Sequence, residues 1–178
     1  LRRAIAISLS QSGALLRDEW IKFEPVLLAP SDSPESRYKT PLEAQNAIYT
    51  TLTTGLEFLK DQRLGRPLGT FDRPRPTRAE ARRSGRSQRN VVLNLIALRD
   101  LARHMTDFDI PKTEAGFADA IQRAEQLDDP IFAGVANPAD RFKIEVLQQT
   151  VQTLISTVSE EIGKPMGVSA GFNALDGD

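Results

Sequence analysis

The feature that most constrains the fold is an apolar residue at every third or fourth position through several long stretches of the chain. This spacing places the apolar side chains on one face of an α-helix, and no stretch alternates apolar and polar residues over a strand length. The first stripe consists of Ile5, Leu9, Ser12, Leu16, Trp20 and Phe23. The last consists of Ile144, Leu147, Val151, Leu154, Ile155, Val158 and Ile162. Four long amphipathic helices and one short helix predict an all-α fold, an up-and-down helical bundle without an internal repeat.

Three helix starts carry a capping residue followed by an acid or a proline in the first turn. They are Thr40-Pro41-Leu42-Glu43, Thr77-Arg78-Ala79-Glu80 and Asn137-Pro138-Ala139-Asp140. The second predicts one helix from Thr77 to about Met105, on the order of 40 Å long at about 1.5 Å per residue.

Proline and glycine are expected to end the helices, because proline lacks an N–H group and glycine disfavours the helix interior. The expected ends are Pro25 and Pro30, Leu64-Gly65, Asp128-Asp129-Pro130, and Gly163-Lys164-Pro165.

Composition excludes several kinds of chemistry. The chain has no cysteine, so it has no disulfide, no thiolate zinc site and no cysteine nucleophile. Its only histidine, His104, lacks the second histidine four residues away that a metalloprotease helix needs, which favours a structural role. The net charge of −1 and the lack of interleaved aromatic residues argue against nucleic-acid binding. No apolar run reaches the roughly 20 residues that span a bilayer.

The densest chemical signal is a run of arginines opposed by only Asp72 and Glu80. Its members are Arg73, Arg75, Arg78, Arg82, Arg83, Arg86 and Arg89. On the predicted helix, most of these share one face, and Arg83, Ser87, Asn90 and Asn94 form a second row. Guanidinium groups bind carboxylates and phosphates in a bidentate manner, which favours an anion site. The alternative is a solvated face, or arginines that hold acids of a neighbouring segment.

The same region resembles a known family. Arg83-Ser84-Gly85-Arg86-Ser87-Gln88-Arg89-Asn90, after Arg73-Pro74-Arg75-Pro76, resembles the second motif region of imelysin-like proteins. Leu64-Gly65-Arg66-Pro67-Leu68-Gly69 and the terminal Gly171-Phe172-Asn173-Ala174-Leu175-Asp176-Gly177-Asp178 are also similar to that family. The resemblance implies two packed helical bundles with a functional site at their interface. It also implies export to the bacterial periplasm or envelope, often as a lipoprotein, and association with iron acquisition.

The family's Gly-x-His-x-x-Glu motif belongs to its N-terminal half and is absent from residues 1–178. Leu1-Arg2-Arg3-Ala4-Ile5 also has the character of a helix interior, so we expect residues 1–178 to be the C-terminal half. The resemblance assigns ligand binding to Arg83, Ser84, Gly85, Arg86, Ser87, Arg89 and Asn90. It assigns no catalytic residue and no metal ligand here. The expected partner is the N-terminal half of the same polypeptide, which would hold most of the ligands of a divalent metal or iron.

Three functions follow from these observations. The first is a periplasmic or envelope binding protein associated with metal or iron uptake, with a small anionic or metal ligand. The alternative is a metallopeptidase of the imelysin type, named for an insulin-cleaving membrane protease, in which the arginine row binds a substrate carboxylate. The third is a structural interaction module at the cell surface.

Overall fold

The computed structural model describes residues 2–170, so the terminal block 171–178 that resembles the family lies outside the described residues. Within residues 2–170 the chain contains five long helices and no strand, which confirms the all-α prediction. They are α1 (Arg2–Leu28), α2 (Pro41–Phe58), α3 (Ser87–Met105), α4 (Pro111–Gln126) and α5 (Pro138–Val158). The chain forms two compact units, Leu1–Gln45 and Asn46–Asp178.

The first unit is dominated by α1, which continues through Pro25 to Leu28. The prediction that Pro25 ends this helix was wrong. A proline removes only its own N–H group, and the Ala29 N–H still donates to the Pro25 carbonyl at 3.0 Å. Near this end the Phe23 ring lies 6.5 Å from that of Tyr38 and 5.3 Å from the guanidinium of Arg37. No side chain of α1 is buried.

The predicted start of α2 is confirmed. The Thr40 hydroxyl accepts from the Glu43 N–H at 3.2 Å. The Glu43 carboxylate accepts from the Lys39 N–H at 2.7 Å, one residue before the position that an ideal capping box uses. At α5, the Asn137 side chain accepts from the N–H groups of Ala139 and Asp140, and Pro138 occupies the first turn.

The second unit is a four-helix bundle with antiparallel neighbours. Glycines allow close approach, because a Cβ at Gly55 would lie 2.5 Å from Leu98 on α3 and one at Gly116 would lie 2.9 Å from Leu154 on α5. The Gln88 amide on α3 donates to the Ala124 carbonyl near the end of α4, at 2.8 Å. These contacts join α2 to α3, α4 to α5 and α3 to α4 within the second unit.

The core of this bundle is a continuous set of apolar side chains from all four helices. It includes Leu52, Leu56, Leu59, Leu64, Val91, Leu95, Ala102, Phe117, Ala120, Ala124, Ile144, Leu147, Val151, Leu154, Val158 and Ile162. The last helix contributes one buried residue at each three- or four-residue step, so its predicted stripe faces the core.

Both α2 and α5 pass into a π-helical segment at their C-terminal ends, Leu59–Gly65 and Ser159–Gly163. A single helical turn follows each, Arg66–Leu68 and Lys164–Met166. The predicted ends at Gly65 and Gly163 were therefore wrong by one turn.

Those two helix ends share a short sequence pattern, so the expectation of no internal repeat needs correction. Leu64-Gly65-Arg66-Pro67-Leu68-Gly69 recurs as Ile162-Gly163-Lys164-Pro165-Met166-Gly167. Because proline is tolerated in a first helical turn, each Gly-basic-Pro sequence starts a new turn. The helices end at Gly69 and Gly167, whose φ values are +59° and +67°. A Cβ at Gly69 would collide with the Arg73 carbonyl oxygen.

The predicted long helix from Thr77 to Met105 was also wrong, because α3 begins only at Ser87. Two short 3₁₀ turns, Pro76–Arg78 and Arg82–Ser84, precede it. Ala81 and Gly85 take left-handed φ values of +53° and +67°, which no α-helix accommodates. Gly85 is thus a turn residue rather than a weak point inside a helix.

Candidate functional site

The arginine-rich motif forms a compact turn, residues 82–89, which we call the arginine turn. It consists of the 3₁₀ turn Arg82–Ser84, the left-handed Gly85, and the first residues of α3. The Arg86 N–H donates to the Ala81 carbonyl at 3.3 Å and so closes the turn before the helix starts. The motif is therefore a turn followed by the start of α3 and is not part of one straight helix.

One side of the arginine turn is anchored through Glu80. The buried Ser87 hydroxyl donates to the Glu80 carbonyl oxygen at 2.6 Å. The Glu80 carboxylate pairs with Arg63 of the first π segment, with 3.1 Å between Oε2 and Nε. Arg63 also donates from Nη1 to the Asn90 carbonyl at 3.0 Å. The capping role predicted for Glu80 was therefore wrong, since its carboxylate pairs with an arginine of another helix.

The other side is anchored through Gln88. Its amide nitrogen donates to the carbonyls of Ala124 and Glu125, and its amide oxygen accepts from the Asp129 N–H at 3.0 Å. Asp129 in turn accepts from the N–H groups of Ala133 and Gly134. The start of α3 is thus held to the end of α4 and to the loop that follows it.

The outer surface of the arginine turn is cationic. Arg83, Arg86 and Arg89 are exposed, and within residues 2–170 none of them forms an ion pair or a side-chain hydrogen bond. Arg89 and Gly85 border a shallow depression that is completed by Gln88, Val92, Glu125 and Pro130. Three unpaired guanidinium groups on an anchored turn are suited to binding carboxylate or phosphate oxygens.

The remaining predicted site residues have structural contacts. Ser84 donates to the Ala81 carbonyl at 2.9 Å, and the Asn90 carbonyl accepts from Arg63. Ser87 has its hydroxyl occupied by Glu80. The single helical face predicted for Arg75, Arg78, Arg82, Arg86 and Arg89 does not exist. Arg78 and Arg82 belong to two separate 3₁₀ turns, Arg89 belongs to α3, and Arg75 and Arg86 lie outside these elements.

Sequence reasoning missed Arg63, Gln88 and Asp129, which hold the turn in place. Arg63 belongs to the first π segment, and its role depends on a change of helix type that apolar periodicity does not reveal. The signal in the sequence that could have indicated this role is the glycine–basic–proline pattern that begins two residues after Arg63, close to the end of the same helix.

The described residues do not fit a metal. Among residues 2–170 no group of three or more His, Cys, Asp or Glu side chains is arranged to hold a metal ion. His104 is exposed at the end of α3, with Nδ1 2.6 Å from the Asp100 carbonyl oxygen. A helix long and apolar enough to cross a bilayer is likewise not found in the part of the chain that the structure describes.

The sequence model of the Imelysin family (Peptidase_M75) matches residues 1–158. The chain therefore belongs to the imelysin family. No curated protein and no solved structure matches it.

Proposed function

We propose that this imelysin-family protein is a binding protein of the bacterial periplasm or envelope that takes part in metal or iron handling. In this proposal the arginine turn binds anionic groups, either those of a small ligand or the carboxylates of a partner surface. The observation that carries it is the set of three exposed arginines, Arg83, Arg86 and Arg89, without a partner in residues 2–170.

The local charge supports an anionic ligand. From Arg63 to Arg89 the chain contains nine arginines and two acids, whereas the whole chain has a net charge of −1. Only Arg63 of these nine pairs with a described acid, Glu80. Guanidinium groups that form no ion pair with an acid contribute a positive potential that attracts anions to this surface.

A metal, under this proposal, is held mainly by side chains outside residues 2–170. The family resemblance places a Gly-x-His-x-x-Glu motif in an N-terminal half of the polypeptide, and the described residues supply no comparable cluster. The arginine turn would contribute by orienting acidic groups beside such a centre, as groups around a metal commonly do.

Citrate, a small polycarboxylate, is a suitable probe of this binding. We expect the wild-type chain to bind citrate, with affinity that decreases as salt is added because exposed charges are screened. Arg86→Ala and Arg89→Ala should each weaken binding by about fivefold or more, a loss typical of one charged hydrogen-bonding group. The readout is isothermal titration calorimetry at low ionic strength.

The matched control is Arg17→Ala. Arg17 is an exposed arginine that already pairs with Asp18 at 2.8 Å, so its loss should leave citrate affinity unchanged. Equal losses in the control and in the turn variants would show non-specific charge attraction and contradict the proposal.

A second candidate is a metal-dependent peptidase, which the name Peptidase_M75 of the matching family favours. In that case the arginine turn would hold a substrate carboxylate or stabilise an oxyanion. Metal content and peptide cleavage, measured on the same preparation of the whole polypeptide, separate the two. Metal binding without turnover supports the binding protein, whereas cleavage that is lost on chelation supports the peptidase.

A further inference from the structure

Arg63 lies outside the arginine turn but forms an ion pair with Glu80, the acid closest in sequence to that turn. Its side chain is 18% exposed, and it contacts the Phe58 ring at 5.6 Å, the Asn90 carbonyl at 3.0 Å and the Glu80 carboxylate at 3.1 Å. An aromatic ring, a backbone carbonyl and a carboxylate thus all contact this guanidinium group.

Glu80 is less restrained. Its side chain is 48% exposed, and Arg63 is the partner of its carboxylate. The backbone of Glu80 lies against the start of α3, where its carbonyl accepts from Ser87 at 2.6 Å. The Arg86 N–H also donates to the carbonyl of the next residue, Ala81, at 3.3 Å, so the backbone of Glu80 lies beside the arginine turn. We expect a Glu80 carboxylate released from Arg63 to be attracted to the guanidinium groups of that turn.

We infer that Arg63 is a positioning residue that sequesters Glu80 and so prevents it from neutralising the arginine turn. This inference rests on the anion binding proposed above. It explains why the acid closest in sequence to Arg82 and Arg83 pairs with an arginine of another helix. A bound anion then meets three guanidinium groups to which Glu80 is not paired.

A double-mutant cycle on the full chain tests this role, with citrate as the probe. Arg63→Met keeps most of the side-chain volume but removes the charge, so Glu80 is released. We expect citrate affinity to fall by about three- to tenfold at low ionic strength, the effect of one nearby carboxylate. Glu80→Gln alone should bind citrate at least as tightly as the wild-type chain.

The decisive variant is the double mutant Arg63→Met/Glu80→Gln. It lacks the released carboxylate, so its affinity should return to within about twofold of the Glu80→Gln value. Its thermal unfolding midpoint, measured by circular dichroism, should stay as low as that of Arg63→Met, because both lack the contacts to Asn90 and Phe58. Recovery of binding without recovery of stability is an outcome that a merely structural role does not produce.

The possible outcomes separate the inference from the proposed function. If the double mutant binds as weakly as Arg63→Met, or if Arg63→Met binds as the wild type does, the sequestering role is wrong although anion binding stands. If the wild-type chain does not bind citrate at all, the proposed anion binding is wrong and this inference is wrong with it.

Discussion

Helices α1 and α5 carry similar apolar stripes but have opposite environments. In α5 the stripe is buried, and Leu147, Val151 and Val158 are fully inaccessible to solvent. In α1 no side chain is buried, and Leu9 and Leu16 are 68% and 73% exposed. The period of the apolar residues is the same, so it cannot be the cause of the difference.

The difference shows what an apolar stripe determines. It favours a helix in both places, because side chains at three- and four-residue steps share one face. Burial also requires other elements, and α5 obtains them from α2, α3 and α4 within the second unit. Most of the stability of a helix comes from such packing, so the two helices should respond differently to the same substitution.

The largest expected effect is that of Leu147→Ala in α5. The side chain is fully buried, so its truncation leaves a cavity and removes apolar contacts. We expect a loss of about 2–5 kcal/mol in the free energy of unfolding, measured by urea denaturation. A loss below about 1 kcal/mol would mean that α5 is not packed as the structure shows.

A smaller effect is expected for Glu161→Gln, just beyond α5. The Glu161 carboxylate accepts from the N–H groups of Lys112 and Thr113 and so caps the start of α4. Burial by itself would raise the pKa of the Glu161 carboxyl. The hydrogen bonds from Thr113 and Lys112 and the positive charge of Lys112 outweigh this effect, so the pKa lies below its ordinary value of 4.5. At neutral pH the substitution should cost about 0.5–2 kcal/mol, as the loss of a helix cap does.

The sign of this pH dependence is fixed by the lowered pKa. The stabilisation by Glu161 is complete above the unfolded pKa and disappears as the pH falls through the lower folded value. Urea denaturation of both proteins at several pH values should show the variant and the wild type converging in acid. A constant difference down to pH 2 would contradict the capping role of the carboxylate.

The smallest effect is expected for Leu16→Ala, the counterpart of Leu147→Ala. Because the side chain is 73% exposed, the substitution should change the free energy of unfolding by no more than about 0.5 kcal/mol. The measurement is the same urea titration. A loss of 2 kcal/mol or more would show that the stripe of α1 is covered in solution, and the contrast with α5 would then disappear.

Sequence patterns predicted the fold well where the signals were local. The caps at Thr40 and Asn137 form as expected, because each requires only a side-chain oxygen near the next N–H groups. The helix ends were less predictable. Proline inside α1 and the glycine–basic–proline sequences after α2 and α5 do not end the helices, since a single missing N–H group is tolerated near a terminus.

For the candidate site, the sequence identified the arginine-rich motif but wrongly predicted that it forms part of one continuous helix. The spacing of Arg75, Arg78, Arg82, Arg86 and Arg89 suits a helix, yet the left-handed backbone at Ala81 and Gly85 interrupts that helix. A non-glycine residue at positive φ is held there by surrounding contacts, and Ala81 carries no side-chain signal for it.

By itself, the sequence determined that the chain is helical, where α2 and α5 begin, and that the arginines cluster around one short motif, because these properties depend on neighbours a few residues apart. Only the tertiary structure decided which stripe is buried, that the motif is a turn, and that Arg63 rather than an arginine of the motif pairs with Glu80. Those outcomes depend on contacts between residues that lie far apart along the chain.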